Sequence, residues 1–172
     1  MAKKSSKKSV KNSPLIGLII IAVLIAAAIL FVLPQYVLTP KVLDKASYNG
    51  FELAFGADGK VVGLGGIGDS LGDMFAARFY IFLPFIFAII AAAIVAIVSF
   101  TKILKGKEFI GFAAAALLAL VSFILMIVYL ASTSTEVVAT VERSFSAWYI
   151  IGFILQFLAF AGSGYGAYKA FK

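Results

Sequence analysis

The chain has 172 residues, of which 63% are hydrophobic and only 13% are charged, and its formal net charge is +7. A soluble domain carries about 25% charged residues, so this composition excludes a fold whose whole surface meets water and indicates a lipid environment. The sequence contains neither Cys nor His, which excludes disulfides, thiolate chemistry, and catalysis or metal binding by His.

Four apolar runs divide the chain, and none of them contains a charged residue. Each is about 20 residues long, enough for a helix to cross a hydrocarbon core of about 30 Å. Because lipid offers the backbone no hydrogen-bond partner, a helix is the expected structure of each run. We therefore predict an all-α membrane protein with a bundle of four transmembrane helices, at residues 14–34, 79–100, 110–131 and 148–168.

The first run follows a basic tail, residues 1–13, as a secretory signal peptide does. Its apolar part is longer than the about 7–15 residues of a signal peptide, which favours an uncleaved anchor. Lys and Arg concentrate on the cytoplasmic side of a membrane, and ten of the fifteen lie in the tail, in loop 101–109 and in the C-terminus, 169–172. We therefore expect a multi-pass protein of the plasma membrane with both termini cytoplasmic, and the positive charge indicates topology rather than nucleic-acid binding.

The two outer segments, 35–78 and 132–147, are predicted to form a small β-rich cap. The stretch YVLTPKVL is expected to be extended, with Pro40 favouring an edge strand because proline lacks the N–H donor. SYNGFELAF is expected to be a second strand, followed by a hairpin at Asp58-Gly59 and a return strand, KVVGLG. STEVVATVE in the shorter segment is rich in β-branched residues and is expected to join the same sheet.

The stretch GLGGIGDS places Gly63, Gly65 and Gly68 in the spacing of a dinucleotide-binding fingerprint. That motif requires an amphipathic helix after it and an acidic residue about 20 positions later. Here the next helix is a membrane span, so we interpret the glycines as a turn and not as a cofactor site. A docking loop presenting Leu64 and Ile67 is the alternative. The second helix is expected to be capped by Asp69, Ser70 or Asp73 and mildly kinked at Pro84.

Small residues recur at four-residue spacing in the apolar runs, where they let helices approach closely. They either pack the helices of one chain together or, for the G-x-x-x-G pair in the fourth run, join two copies of the chain. The candidates for helix packing or oligomer contacts are Gly162, Gly166, Ala88, Ala92, Ala96, Gly111, Ala115 and Ala119.

A polar pathway is the other possibility for the fourth run. Gln156 is the only amide within a span and is expected to form an interhelical hydrogen bond worth about 1 kcal/mol. Gln156, Ser163 and Tyr165 are the candidate lining of a pore. The aromatic residues near the outer boundary are expected to form an interfacial belt; they are Tyr36, Tyr80, Tyr129, Trp148 and Tyr149.

No catalytic, cofactor-binding or metal-binding residue is predicted. Outer acids such as Glu52 and Asp58 lack the spacing of a calcium loop. The spans contain no acid of the kind that drives coupled transport, and no nucleophile-base set is present.

Four spans, cytoplasmic termini and a large first outer loop resemble the claudin-type tetraspan arrangement in topology, without its W-G-L-W and Cys residues. The loop LPQYVLTPKVLDKASYNGFELAFG is similar to that of small uncharacterised bacterial four-span membrane proteins. The residues that carry this resemblance are Pro34, Gly50, Phe51, Phe55 and Gly56. It implies a bacterial plasma membrane, and that family has no established activity to carry over to this chain.

We expect a non-enzymatic protein with a structural or assembly role. Its partners would be the bilayer and either a second copy or another membrane protein, contacted through the cap and the small-residue faces. The alternatives are a channel or accessory subunit of a transport complex, whose pore can be lined without charge, and a receptor or immunity-type protein that captures a ligand with its outer loop.

Overall fold

A computed structural model describes residues 14–40, 46–56, 78–101, 103–133 and 141–172. Within these ranges the chain is mostly helical and contains one small antiparallel sheet. The elements in chain order are α1 (Pro14–Leu30), β1 (Pro34–Pro40), β2 (Ala46–Asn49), α2 (Gly50–Phe55), a 3-10 turn (Phe79–Ile81), α3 (Leu83–Phe100), α4 (Glu108–Thr133), β3 (Val141–Phe145) and α5 (Ala147–Phe171).

Three helical segments are long and apolar enough to cross a membrane, and they indicate a multi-pass membrane protein. They are Phe79–Phe100, Glu108–Ser132 and Ala147–Phe171. Helix α1 is equally apolar but has 17 residues. A further turn continues it, since the N–H groups of Phe31, Val32 and Leu33 donate to the carbonyls three residues earlier at 3.0–3.1 Å.

The four long helices form an antiparallel bundle. Helix α1 packs against α3 and α5, and α4 packs against the same two helices from the other side. Small side chains at the contacts allow the close approach expected of helices in lipid. The buried residues of this bundle core are Ile20, Leu24, Ala28, Ala88, Ala91, Ala92, Val95, Val98, Phe112, Ala115, Ala119 and Ala159.

The outside of the bundle is covered with exposed aliphatic side chains. Every long helix contributes some of them, for example Leu18, Ile89, Leu117 and Ile154. A soluble monomer rarely leaves contiguous apolar patches larger than a few hundred Å² in water. The exposed surface therefore matches the lipid environment that the composition predicts.

The sheet has the order β2-β1-β3, and both pairs of strands are antiparallel. Tyr36 of β1 lies opposite Tyr48 of β2 on one side and Phe145 of β3 on the other. The two outer segments therefore share one sheet, as predicted, but the strand that joins is VERSF, which contains only Val141 and Glu142 of the predicted stretch STEVVATVE. The remainder of that stretch, 134–140, lies outside the described residues. We call the sheet and α2 the cap, and the end of the bundle that carries them the cap end.

The structure corrects the prediction that Pro40 marks an edge strand. β1 is the central strand, and Pro40 is its last residue, opposite Val141 of β3. Among the described residues, the last pair with β2 is Leu38 opposite Ala46. At a strand end the missing N–H of proline removes at most one terminal ladder bond, so proline is tolerated there.

The prediction of a strand over SYNGFELAF is wrong in its second half. The chain leaves β2 at Asn49 and turns into α2. The Asn49 side chain accepts from the Glu52 N–H at 3.0 Å, and the Glu52 carboxylate accepts from the Asn49 N–H at 2.8 Å. This reciprocal capping box satisfies two N–H groups that a helix start leaves free, and it decides the local structure in favour of a helix.

Pro84 does not kink a helix interior. The helix proper begins at Leu83, after a 3-10 turn, so Pro84 occupies its first turn. The first N–H groups of a helix have no intrahelical partner, and proline therefore costs little there. The predicted hairpin, return strand, glycine turn and caps of the second helix all fall within residues 57–77, outside the described residues.

Candidate functional site

The G-x-x-x-G pair of α5 contacts other helices of the same chain. A Cβ added to Gly166 would lie 2.7 Å from Cδ1 of Phe112 in α4, and one added to Gly162 would lie 3.3 Å from Ile20 in α1. Gly166 thus makes room for an aromatic ring, and this face of α5 is occupied within the bundle.

The other small-residue candidates also lie mostly between helices of one chain. Ala88, Ala92, Ala115 and Ala119 are part of the bundle core, whereas Ala96 is half-buried. Gly111 packs against Val98, whose Cγ2 would lie 2.1 Å from an added Cβ. These residues bring α3 and α4 together, as expected if the small-residue spacing serves packing within one chain. Contacts between copies through these faces remain a prediction.

The three candidate lining residues do not share a face. Gln156 is 3% exposed and Ser163 is fully buried, and both point inward from α5. Tyr165 is 51% exposed on the outside of the same helix. The structure therefore brings two of the three together, one above the other along the bundle, and places the third away from them.

Both inward polar groups have an unpaired oxygen. Within the described part of the chain, no donor reaches Oε1 of Gln156 or Oγ of Ser163. An unsatisfied buried polar group costs about 1–3 kcal/mol. By contrast, the hydroxyl of Ser122, also buried, donates to the Leu118 carbonyl at 2.9 Å within its own helix. Oγ of Ser99 is also buried without a partner. Gln156, Ser163 and Ser99 are therefore positions of the interior where a polar partner would be stabilising.

Gln156 lines a cavity of about 40 Å³ at the cap end of the bundle. All four long helices and the cap contribute to its wall, which is largely apolar, with Leu30, Phe85 and Met126 as typical members. A site for one water needs about 10–15 Å³ by this measure. The space is therefore sufficient for a small group of atoms, such as one end of a larger molecule, and does not enclose a large ligand.

Gly152 leaves part of this space open. A Cβ at this position would meet only Met126 Cε at 3.8 Å and Leu30 Cδ1 at 4.0 Å, which is ordinary van der Waals distance. Gly152 stands one helical turn before Gln156, so both face the cavity. Sequence reasoning missed this residue; the small residue four positions from the only amide of the span was the available signal.

Gln35 was also missed, and it joins the wall of the cavity from the start of β1. Its side-chain Nε2 donates to the carbonyl of Leu33 at 3.1 Å and to that of Leu30. The Leu33 carbonyl follows the last turn of α1, and the Leu30 carbonyl also accepts from the Leu33 N–H, so the Gln35 side chain caps the C-terminal end of this helix. A polar residue directly after Pro34, where a helix must end, was the available signal for this C-terminal capping of α1.

The predicted aromatic belt is wrong for three of its five members. Tyr36, Tyr129 and Tyr149 are buried between the cap and the helix ends, whereas Trp148 is exposed and Tyr80 is half-buried. The Tyr149 hydroxyl donates to the Met126 carbonyl of α4. The three buried tyrosines belong to one buried group between the cap and the helix ends, which we call the aromatic cluster. Its members are Tyr36, Tyr48, Leu53, Ala54, Ile81, Tyr129 and Tyr149.

The aromatic cluster affects ionisation in the cap. Burial raises the pKa of Tyr48 above its ordinary value, and the negative charge of Glu52 raises it further. The Glu52 carboxylate accepts a hydrogen bond from the Asn49 N–H in the capping box. Among the residues that the structure describes, no three acidic side chains converge to hold a cation.

At the opposite end of the bundle, lysines lie over aromatic rings of α5. Lys172 Nζ is 4.4 Å from the centre of the Tyr168 ring, and Lys169 Nζ is 5.6 Å from that of Tyr165. Tyr165 therefore faces the surface beside a cation, and this contact is worth about 0.5–1 kcal/mol at an exposed site.

No protein-family model, no curated protein and no solved structure matches this chain. Its function is therefore inferred from its own geometry and chemistry.

Proposed function

We propose that this chain is a non-enzymatic, four-span protein of the plasma membrane that holds a rigid cap at the outer surface for assembly with a second copy or with another membrane protein. The observation that carries the proposal is the attachment of the cap to the helices. The N–H of Gly50 donates to the carbonyl of Phe31 at 2.9 Å, and the N–H of Ser146 donates to that of Gln35 at 3.0 Å. A cap fixed in this way presents one defined surface, as a contact site requires.

The fourth span of the proposal is α1 with its terminal turn. Residues 14–33 rise by about 30 Å at 1.5 Å per residue, the thickness of a hydrocarbon core. Helix α1 packs between α3 and α5, both of which are long enough to span. This packing supports placing α1 at the same depth in the membrane as those two helices. The distribution of Lys and Arg supports cytoplasmic termini and an outer cap.

A topology experiment tests this arrangement. Since the chain has no Cys, Ser5→Cys in the tail and Ser144→Cys in the cap each introduce a unique thiol. We expect a membrane-impermeant maleimide to label Ser144→Cys in intact cells and Ser5→Cys only after lysis. Labelling of both in intact cells would refute the fourth span, and the reverse pattern would refute the orientation.

The contact surface that we propose is the sheet edge. β2 and β3 are the outer strands of the sheet in the described part of the chain, and Ser47 and Ser144 on them are exposed. Edge strands present backbone groups that pair readily with another chain. The small-residue faces support this choice indirectly, because they contact neighbouring helices of the same chain.

Cross-linking in native membranes tests the contact. We expect disulfide-linked dimers from Ser47→Cys or Ser144→Cys under mild oxidation, and none from the lipid-facing control Leu117→Cys. Native mass in lipid nanodiscs should then show a defined oligomer, or a complex with a second polypeptide. Monomeric mass together with no cap cross-link would refute an assembly role, and cross-links from Leu117→Cys alone would move the contact to the membrane helices.

A channel or an accessory transport subunit is the second candidate. The inward, unpaired oxygens of Gln156 and Ser163 favour it, because a pore requires polar groups along the bundle. In liposomes this function would show as ion or solute flux that Gln156→Leu abolishes. Flux unchanged by that substitution, or absent from wild-type liposomes, would refute it.

A further inference from the structure

The cavity at the cap end has an acceptor that nothing in the described chain satisfies. Gln156 is almost completely buried, it lines the cavity, and no donor reaches its Oε1. We propose that this cavity binds an uncharged, mostly apolar molecule through one hydroxyl group, which donates a hydrogen bond to Oε1 of Gln156.

The wall of the cavity selects an uncharged ligand. Its lining residues are aliphatic or aromatic, apart from the amides Gln35 and Gln156 and the tyrosines Tyr129 and Tyr149, and none carries a formal charge at neutral pH. Moving an ion from water into such surroundings without a counter-charge is strongly unfavourable. The ligand must therefore be neutral, and most of its surface must be carbon.

Other polar groups of the wall are already engaged. The Tyr149 hydroxyl donates to the Met126 carbonyl, and Nε2 of Gln35 donates to the carbonyls of Leu30 and Leu33. Oε1 of Gln156 differs from them because it is an acceptor in need of a donor. A hydroxyl supplies that donor and remains neutral at physiological pH.

Water alone fits the cavity less well. The space of about 40 Å³ has room for a few waters, but each buried water requires two to four polar partners. A wall made mostly of carbon does not provide them for several waters. A hydroxyl attached to a carbon chain satisfies the amide and fills the remaining space with apolar contacts. The cavity is partly open, so a longer chain can extend beyond it.

The hydroxyl can come from a neutral lipid of the bilayer or from an alcohol that enters from water, and the chemistry of binding is the same. The two sources are distinguished by native mass spectrometry of the full chain in lipid nanodiscs. A neutral lipid retained from the cell membrane identifies the first source. Binding of added 1-octanol to a chain that retains no lipid identifies the second.

Photo-cross-linking tests the site itself. The probe is a diazirine-bearing long-chain alcohol, and the comparison probe is the alkane of the same length without the hydroxyl. We expect the alcohol to label peptides of α3 to α5 that line the cavity, about tenfold more than the alkane does, since one hydrogen bond to a buried group is worth about a factor of ten in affinity. Gln156→Leu should remove this difference.

Two further variants complete the design. Gly152→Leu projects a side chain into the cavity and should abolish labelling by both probes. Ser163→Ala removes another unpaired inward oxygen, which lies outside the cavity wall, and should leave labelling unchanged. The Gln156→Leu variant of the main test should fold, because the substitution removes an unsatisfied polar group. A melting temperature no lower than that of the wild type would verify this.

The proposal is overturned if Gln156→Leu and the wild type are labelled equally by the alcohol, or if alcohol and alkane label the wild type equally. It is also overturned if the chain retains no neutral molecule, added 1-octanol does not bind, and the diazirine-bearing alcohol does not label the cavity. The cavity would then contain water only.

Discussion

The hydroxyl of Ser146 donates a hydrogen bond to the carbonyl of Pro34, 112 residues earlier in the chain. The same oxygen accepts from the N–H of Tyr149 and so caps the start of α5. One side chain therefore joins the first residue of the central strand to the start of the last helix.

Replacement of Ser146 by Ala should destabilise the protein by about 2 kcal/mol, because it removes a helix cap and a hydrogen bond between distant segments. The measurement is the thermal midpoint in detergent, with hydrogen exchange at Gln35 and Tyr149. Ser146→Thr keeps the hydroxyl and is the control. Equal losses for the two variants would mean that the hydroxyl is not the stabilising group.

The capping box of α2 gives a second prediction. Asn49→Ala removes the acceptor for the Glu52 N–H and should cost about 1 kcal/mol. The loss of stability should be local, because α2 has only six residues. Faster hydrogen exchange should therefore be confined to Gly50–Phe55. Asn49→Asp keeps an acceptor and should retain protection. Uniform loss of protection throughout the cap would contradict a local role.

Two glycines of α5 should respond in opposite directions to the same substitution. Gly166→Ala forces a Cβ to within 2.7 Å of the Phe112 ring, and the required shift should cost about 1–3 kcal/mol. Gly152→Ala meets nothing closer than 3.8 Å and should be neutral or gain up to about 1 kcal/mol from helix propensity. Chemical unfolding in mixed micelles compares the two, and equal effects would argue against the packing of α4 on α5 described above.

The raised pKa of Tyr48 predicts a loss of cap stability in alkali. Burial first, and the charge of Glu52 second, favour the neutral phenol in the folded state. Above pH 10, the ordinary value, the unfolded chain therefore loses its proton before the folded chain does, and stability falls as pH rises. We expect the thermal midpoint to fall less steeply between about pH 9 and about pH 11 in Tyr48→Phe than in the wild type. Parallel curves would contradict this.

Hydrophobicity and length were sufficient to predict the apolar helices, because lipid leaves a spanning backbone few alternatives. They were not sufficient for the cap. The alternation in SYNGFELAF favoured a strand, but Asn49 and Glu52 form a capping box that turns the chain into a helix. That signal is also local, and the sequence contained it. Pro40 likewise stands at the end of a strand, and that strand is the central one.

The candidate site was predicted in part. Gln156 was singled out as the only amide in a span, and it lies in the wall of the cavity. Tyr165, nine residues later, was assigned to the same lining but lies on the outside of the helix. Gln35 and Gly152 were not singled out, although Pro34 before the first and Gln156 one helical turn after the second were available signals. That both line one cavity depends on segments far apart in sequence.

The sequence by itself determined that the chain is an apolar, mostly helical membrane protein without His or Cys, since composition and run length decide how backbone and side chains meet lipid. The tertiary structure decided which faces of those helices meet. It packed Gly166 against Phe112 and buried Tyr36, Tyr129 and Tyr149, which an interfacial belt would have left exposed. It also left Gln156 beside a cavity with one oxygen unpaired. Such outcomes depend on the packing of residues far apart in the chain, which no local pattern records.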